Sequence, residues 1–95
     1  MYNYQLSLSA KEDLRRIYSY GYRHFGEEQA DKYYFGFFST FEKISSNPFL
    51  YQSVDHIRAG YRRCPYGSDS IYYRINGNTI EIMAILSGQD LDVWL

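Results

Sequence analysis

The chain has 95 residues, a formal net charge of −1 and a single cysteine. This length supports one domain with a modest core, and the near-zero charge excludes a global attraction to nucleic acid or to a membrane surface. One cysteine excludes an internal disulfide and a cysteine-rich zinc site. Because neither a membrane-length apolar run nor a signal-like start is present, we expect a cytoplasmic protein with no membrane contact. The aromatic fraction of 20% exceeds what a small core easily hides, which suggests a covering partner.

The first predicted elements are a strand and a helix. Residues 2–8 alternate apolar and polar side chains, which is typical of a half-buried strand. Ser9 and Glu12 have the spacing of a capping box, so we expect the first helix to begin there, and Gly26 is a natural stop for it. The predicted apolar stripe of this helix consists of Ala10, Leu14, Ile17, Tyr18, Gly21 and Phe25.

A second helix is predicted from Glu27 to the Asn47-Pro48 break, and the very short link before it predicts an antiparallel helical hairpin. Phe35 points away from the apolar stripe of this helix, and Tyr20 lies off the stripe of the first helix. Each is either an amphipathic surface residue or a contact for a bound protein. The second stripe consists of Ala30, Tyr33, Tyr34, Phe37, Phe41 and Ile44.

The second half of the chain predicts a loop followed by three strands. Residues 49–56 show no period, residues 60–64 form a short strand, and two longer strands flank Asn76-Gly77, a dipeptide typical of a type I′ hairpin turn. The last strand is predicted to be central and buried on both sides near its end. The element order predicts an α+β sandwich with both helices on one face of the sheet. One face of the last strand is predicted to carry Ile80, Ile82, Ala84 and Leu86.

The sequence contains no recognisable catalytic constellation. His24 lies at a predicted helix end, where a cation complements the helix dipole, and His56 follows Asp55, a weak signal for a catalytic base. Glycine-rich phosphate loops, nucleophile elbows and metal-ligand spacings are missing. We therefore assign no catalytic residue, metal ligand or cofactor.

Arginines interleaved with tyrosines are the remaining chemical feature. Such a surface could hold phosphates and stack bases. Side chains of neighbouring residues on a strand point to opposite faces of the sheet, so the side chains of Arg62 and Arg63 should lie on opposite faces. We expect Arg63 to have a structural role and leave Arg62 and Arg74 open. The acidic residues available to pair with such an arginine are Asp55, Asp69 and Glu81.

Six sequence motifs follow one another along the chain. They are residues 4–17 (YQLSLSAKEDLRRI), 25–30 (FGEEQA), 46–48 (SNP), 57–63 (IRAGYRR), 68–74 (SDSIYYR) and 82–86 (IMAIL). In the order of these motifs, which cover nearly the whole chain, the protein resembles the ParE toxins of bacterial type II toxin–antitoxin modules.

The resemblance implies a RelE/ParE-like fold in a single domain spanning residues 1–95. This fold has an N-terminal strand, an α-helical hairpin and a three-stranded antiparallel meander, with sheet order 1-4-3-2. The implied function is that of a toxin that inhibits DNA gyrase and is neutralised by a ParD-like antitoxin. Operator DNA would be contacted only through the antitoxin.

The same resemblance directs the choice of binding residues. We expect Tyr20, Phe35 and Phe38 to lie beneath the antitoxin, because aromatic surface outside the core is what an amphipathic partner segment covers. By analogy with the family's reliance on its C-terminal half, we expect Arg62, Arg74 and Trp94 to contact the target. Trp94 has a competing role as an anchor for the tail.

Two departures from the family pattern bear on catalysis. Ser87 and Ser70 stand where relatives often have histidine, which removes two candidate proton carriers. The predicted protein is therefore not an enzyme. The alternatives are a ribosome-dependent mRNA interferase of the RelE type, and a degenerate, non-toxic member that still binds antitoxin.

Overall fold

The computed structural model describes residues 2–88, which form two helices and one five-stranded sheet. The predicted α+β class is confirmed. The predicted strand order 1-4-3-2 is wrong, because a two-residue strand pairs beside the 61–66 strand where we expected only a loop. In chain order the elements are β1 (Asn3–Leu6), α1 (Leu8–Phe25), α2 (Glu27–Ser46), β2 (Gln52–Ser53), β3 (Tyr61–Tyr66), β4 (Asp69–Asn76) and β5 (Thr79–Leu86), and the sheet order is β1-β5-β4-β3-β2.

The two helices cover one face of the sheet and enclose the main hydrophobic core. A smaller cluster lies on the opposite face, which we call the second face; there Val54 and Ile57, from the segment after β2, pack on Tyr61 and Tyr72. The main core consists of Ala10, Leu14, Phe37, Phe41 and Ile44 from the helices and Cys64, Ile71, Tyr73, Ile80, Ile82 and Ile85 from the sheet.

The first helix begins two residues earlier than predicted. Ser7, not Ser9, is its N-cap, and the Ser7 hydroxyl accepts a hydrogen bond from the Ala10 backbone N–H at 3.0 Å. The same hydroxyl donates to the Met83 carbonyl at 3.0 Å, so the cap also ties the helix start to β5. The predicted strand over residues 2–8 therefore ends at Leu6, and the Leu8 side chain is 80% exposed.

Gly26 alone separates the two helices. Its φ of 89° lies in the left-handed region that favours glycine, which confirms the predicted stop. Phe25, the last residue of α1, is predicted to be part of the buried stripe but is 63% exposed.

The β4–β5 turn has the predicted length of two residues, but it is shifted by one residue along the chain and is of a different type. Asn76 pairs with Thr79, so Gly77 and Asn78 are the two central residues. Gly77 has a φ of 62°, while no non-glycine residue in the described part of the chain has a positive φ. This pattern matches a type II′ turn instead of the predicted type I′.

A β-bulge interrupts the pairing of β4 with β5. Tyr72 pairs with Ala84 and Tyr73 pairs with Ile82, which leaves Met83 as the extra residue. The alternation of side chains is therefore reversed beyond Met83. Ile85 joins Ile80 and Ile82 in the main core, whereas Ala84 and Leu86 lie on the second face, so the predicted single stripe on β5 is wrong. The predicted burial on both sides near the end of β5 is confirmed.

Side chains of α1 replace the missing strand partner along the last part of β5. β1 pairs with β5 only as far as Ile82. Beyond that point the Ile85 N–H donates to the Asp13 carboxylate at 2.9 Å, and Arg16 donates to the Ile85 carbonyl at 3.3 Å. These bonds satisfy a backbone edge that would otherwise be open to another strand.

The second helix packs against the β3–β4 hairpin through a glycine. A Cβ at Gly36 would lie 1.8 Å from the Tyr66 hydroxyl oxygen and 2.8 Å from the ring carbon that bears it. The Tyr66 ring is held between Tyr33 and Phe37, with centroid distances of 4.9 and 4.4 Å, and its hydroxyl donates to the Tyr33 carbonyl at 2.9 Å. The ring therefore has no room to move aside.

Gly36→Ala should destabilise the fold by about 1–3 kcal/mol through overpacking against Tyr66. Gly21→Ala is the matched control, since its Cβ would make an ordinary 3.6 Å contact with Ala30. That change should be neutral or stabilising by up to about 1 kcal/mol, because alanine favours the helix. Urea unfolding of the two variants measures the difference, and equal effects would contradict the packing described.

Candidate partner-binding surface

Two aromatic grooves lie on the helical hairpin. The flank groove has a volume of about 630 Å³ and the tip groove about 770 Å³. Tyr18 and Tyr34 line both grooves. The flank groove is otherwise lined by the apolar side chains of Leu6, Leu14, Phe35 and Phe38 and by the polar or charged ones of Lys11, Arg15, Ser19 and Asp31. The tip groove is otherwise lined by Ile17, Tyr20, Gly21, Phe25, Ala30, Tyr33 and Tyr66 and by the polar or charged Arg16, Gln29, Lys32, Ser68, Asp69 and Ser87.

The flank groove brings together two of the three residues predicted to bind an antitoxin. Phe35 is 63% exposed, and Phe38 is partly buried against the main core. Both rings contact Tyr34, at centroid distances of 5.4 and 5.2 Å. The core therefore holds the Phe38 ring in place as one wall of the flank groove, whereas the exposed Phe35 ring is accessible to a partner.

The third predicted residue, Tyr20, lies in the tip groove instead. It is 54% exposed, and its ring rests on His24 at a centroid distance of 4.1 Å. Phe25 lines the same groove. We missed Phe25 because helical spacing places it on the buried stripe, and spacing does not show whether another element covers the last turn of the helix.

Tyr18 and Tyr34 form the wall between the grooves. Their rings meet edge to face at 5.5 Å, and the Tyr18 hydroxyl donates to the Asp31 carboxylate at 2.6 Å. This hydrogen bond raises the pKa of Tyr18 to about 12. Both tyrosines are predicted core residues, yet they are only partly buried and line both grooves.

The base of the tip groove is closed by a network around Tyr33. The Tyr33 hydroxyl donates to the Asp69 carboxylate at 2.8 Å and lies within hydrogen-bonding distance of the Tyr66 carbonyl. It also accepts a hydrogen bond from the Ser68 N–H at 3.2 Å. Burial, followed by the hydrogen bond to Asp69, raises the pKa of Tyr33 to about 12.

The residues predicted to contact the target do not share one surface. Arg62 pairs across the strands with Tyr73, whose side chain lies in the main core, while Arg74 is the next residue of β4 and points to the second face. Arg62 donates to the Tyr51 carbonyl at 2.7 Å and stacks on Phe49, and Arg74 forms a salt bridge with Glu81 at 2.6 Å. Trp94 lies outside the described residues.

The expected carboxylate partner of Arg63 is not observed. Asp55 accepts a hydrogen bond from the Gly60 N–H, Asp69 binds Tyr33, and Glu81 binds Arg74. The Arg63 Nε instead donates to the Ser70 hydroxyl at 2.9 Å. All three candidate carboxylates are therefore engaged elsewhere.

Arg63 borders a smaller cavity on the second face, which we call the second-face hollow. It has a volume of about 390 Å³. Within residues 2–88, no hydrogen bond joins His56 to a carboxylate, because Asp55 caps the loop through Gly60. One acidic residue, Asp69, borders the hollow, and Ser68 and Asp69 also line the tip groove. The full lining consists of Gln52, Val54, His56, Ile57, Arg63, Pro65, Gly67, Ser68, Asp69, Ser70, Tyr72 and Gly88.

Membrane-spanning helices and metal centres are both missing from the described part of the chain. Neither helix is long and apolar enough to cross a membrane. No group of three or more histidine, cysteine, aspartate or glutamate side chains is placed to hold a metal ion. Both statements apply to residues 2–88 alone.

The fold defines a small α+β protein in which a helical hairpin on one sheet face carries two grooves lined with aromatic side chains. A solved structure titled "Chromosomal ParDE TA system from P. aeruginosa" has the same fold, with a TM-score of 0.79 at 20% identity, covering 92% of this chain and 96% of that chain.

Sequence comparison narrows this class to one family. The family model described as the ParE toxin of the type II toxin–antitoxin system parDE matches residues 4–91. Toxin ParE1 of Caulobacter vibrioides is 41% identical over 83 residues, which cover 87% of this chain and 85% of that protein. Toxin ParE1 of Mycobacterium tuberculosis is 33% identical over 91 residues, which cover 95% and 92%. The chain belongs to the ParE toxin family of type II toxin–antitoxin systems.

Alkaline pH should destabilise the protein through Tyr33. A tyrosine in the unfolded chain titrates near pH 10, whereas the pKa of Tyr33 in the folded chain is about 12. The stabilising contribution is therefore complete below about pH 10 and is lost as the pH rises through about 12, because the unfolded state then releases a proton that the folded state retains. Urea unfolding across this range measures the effect. Tyr33→Phe, which cannot ionise, should show a shallower decline, and an unchanged slope would contradict the assignment.

Proposed function

We propose that this chain is the toxin of a ParDE-type module, that it acts on DNA gyrase in the cytoplasm, and that a ParD-like antitoxin neutralises it. Family membership over residues 4–91 is the observation that carries the proposal. The P. aeruginosa protein of the same fold belongs to a chromosomal ParDE system, which supports a ParD-type partner. Residues 1–95 would act as one toxin domain, and operator DNA would be reached only through the antitoxin.

The hairpin grooves are the proposed antitoxin surface. An amphipathic helix laid across them would cover Phe35 and Tyr20 and pack against the fixed ring of Phe38. Covering apolar surface contributes roughly 25 cal/mol per Å², and ordering of the antitoxin segment offsets much of this gain. The wall formed by Tyr18 and Tyr34 would then lie at the centre of the interface, where aromatic residues contribute most to binding.

The proposed mechanism of poisoning is binding without bond cleavage. Arg62, Arg74 and Trp94 remain our proposed target contacts. Because Arg62 and Arg74 lie on opposite faces of the sheet, a single gyrase surface would have to reach round the β2 edge to touch both. No catalytic residue is proposed, since His56 lacks an orienting carboxylate within the described residues.

Loss of Phe35 should weaken antitoxin binding. Phe35→Ala removes an exposed ring from the centre of the flank groove, so affinity for a purified ParD-like antitoxin should fall about tenfold or more. Phe49→Ala is the matched control, because Phe49 is 61% exposed against 63% for Phe35 and lies outside both grooves. Titration calorimetry measures both affinities. Equal affinities for the two variants would show that the grooves are not the antitoxin surface.

The gyrase target is tested with purified components. Adding the protein to gyrase and relaxed plasmid should inhibit supercoiling and should accumulate cleaved DNA, and pre-incubation with the antitoxin should restore activity. Inducing the protein without antitoxin in cells distinguishes the alternatives. Filamentation and a DNA-damage response support gyrase, rapid loss of translation with cut messages supports an mRNA interferase, and normal growth supports a non-toxic member.

A further inference from the structure

The second face of the sheet carries an apolar cluster, which we call the second-face cluster. Its buried members from the strands are Tyr61, Tyr72, Ala84 and Leu86, and Met83 packs beside them. Among residues 2–88, the members of the cluster that lie outside the strands are Val54 and Ile57 alone. Apolar sheet faces are stable when another layer packs on them. Two side chains from one short segment are a small layer, which favours a further segment over this face.

The end of the described chain lies at the same face. Gly88, the last described residue, lines the second-face hollow. Three residues, Val54, Ile57 and Tyr72, belong both to the lining of the hollow and to the second-face cluster. A segment that continues from Gly88 therefore starts beside the cluster.

Seven residues follow Gly88 in the sequence. They are residues 89–95 (QDLDVWL), and they lie outside the described residues. An extended chain advances about 3.3 Å per residue, and neighbouring strands lie about 4.8 Å apart. Since β5, β4, β3 and β2 are consecutive neighbours in the sheet, a segment of this length can cross from β5 to β2 over the second face.

The composition of the segment matches the second face. The apolar side chains available to pack on the cluster are those of Leu91, Val93, Trp94 and Leu95, and the acidic ones are Asp90 and Asp92. The face presents Arg63 at the hollow and Arg58, whose guanidinium carbon lies 6.0 Å from the centre of the Tyr61 ring. Two acidic residues in the segment are thus complementary to two arginines on the face.

The carboxylate already at the hollow does not pair with Arg63. Asp69 accepts a hydrogen bond from the Tyr33 hydroxyl at 2.8 Å, and the Arg63 Nε donates to the Ser70 hydroxyl at 2.9 Å. The salt bridges of other arginines within residues 2–88 do not include Arg63. Because Asp90 is two residues after Gly88, it can lie within about 7 Å of that residue, which lines the hollow with Arg63.

We propose that residues 89–95 dock on the second face, with Asp90 beside Arg63 at the second-face hollow and the Trp94 indole packed on the second-face cluster. Tryptophan is large and is rarely buried completely, so a docked indole can still present an edge to a target. The proposal concerns the chain on its own and rests on neither gyrase nor antitoxin. Its failure would therefore leave the proposed function standing.

The first measurement uses Trp94 as an intrinsic probe, because it is the single tryptophan of the chain. Acrylamide quenching of the wild-type protein is compared with that of a synthetic peptide of residues 88–95. Docking should shift the emission of the protein to shorter wavelength and should lower its quenching constant several-fold. Equal quenching of protein and peptide overturns the proposal. Shielding that develops only at high protein concentration also overturns it, because a second copy would then cover the indole.

The second measurement locates the docked segment with two matched variants. Ile57→Asp removes an apolar contact from the second-face cluster and places a negative charge near the acidic segment, so quenching of Trp94 should rise toward that of the peptide. Tyr20→Asp makes the same kind of change in the tip groove, which Ser87 also lines, and should leave quenching unchanged. If Tyr20→Asp exposes Trp94 and Ile57→Asp does not, the segment lies in the tip groove and the proposal is overturned.

The third measurement tests the charge pair and does not depend on the folding of Ile57→Asp, which circular dichroism checks. Asp90→Lys places like charges together at the hollow and should raise quenching at low salt, where charges are least screened. Adding Arg63→Glu should restore shielding by reversing the pair. Arg15→Glu, on the exposed surface of α1, is the matched control and should not restore it. Equal quenching for the two double variants overturns the pairing of Asp90 with Arg63.

Discussion

The bulge at Met83 determines what each face of this sheet presents. Strand side chains alternate with a period of two, so one extra residue moves every later side chain to the opposite face. Without it, Ala84 and Leu86 would point at the helices and Ile85 would point away from them. The Met83 carbonyl also accepts a hydrogen bond from the Ser7 hydroxyl, and this bond connects the bulge to the start of α1. The position of the helical hairpin and the composition of both hydrophobic clusters depend on this single irregularity.

The aromatic surplus is divided between the core and the hairpin surface. Tyr73 and Phe37 are fully buried, whereas Phe35 remains more than half exposed. Phe25, at the end of α1 beside the one-residue link at Gly26, is likewise more than half exposed. The resulting grooves are bounded by rings that the core already holds in place, such as Phe38. A partner would therefore meet a preorganised surface, which lowers the entropic cost of binding.

The acidic residues near the arginines are engaged in contacts within the fold. Asp55 closes a loop, Asp69 accepts a hydrogen bond from Tyr33, and Glu81 pairs with Arg74. Arg63 bonds instead to the neutral hydroxyl of Ser70. On the hairpin, the grooves combine aromatic rings with charged side chains, a mixture that suits an amphipathic protein segment. The tip groove and the second-face hollow adjoin each other, since Ser68 and Asp69 line both.

The sequence by itself determined the α+β class, both helices, the stop at Gly26, the β4–β5 hairpin and the family resemblance. Each of these rests on local periodicity, on turn chemistry or on motif order, which can be recognised from residues close together in the chain. Only the tertiary structure decided the cap at Ser7, the fifth strand, the bulge and the partner of Arg63. These depend on how separate elements of the chain meet in space. The Ser7 hydroxyl caps α1 and also reaches a carbonyl of β5. Arg63 lacks a carboxylate partner because Gly60, Tyr33 and Arg74 bind Asp55, Asp69 and Glu81.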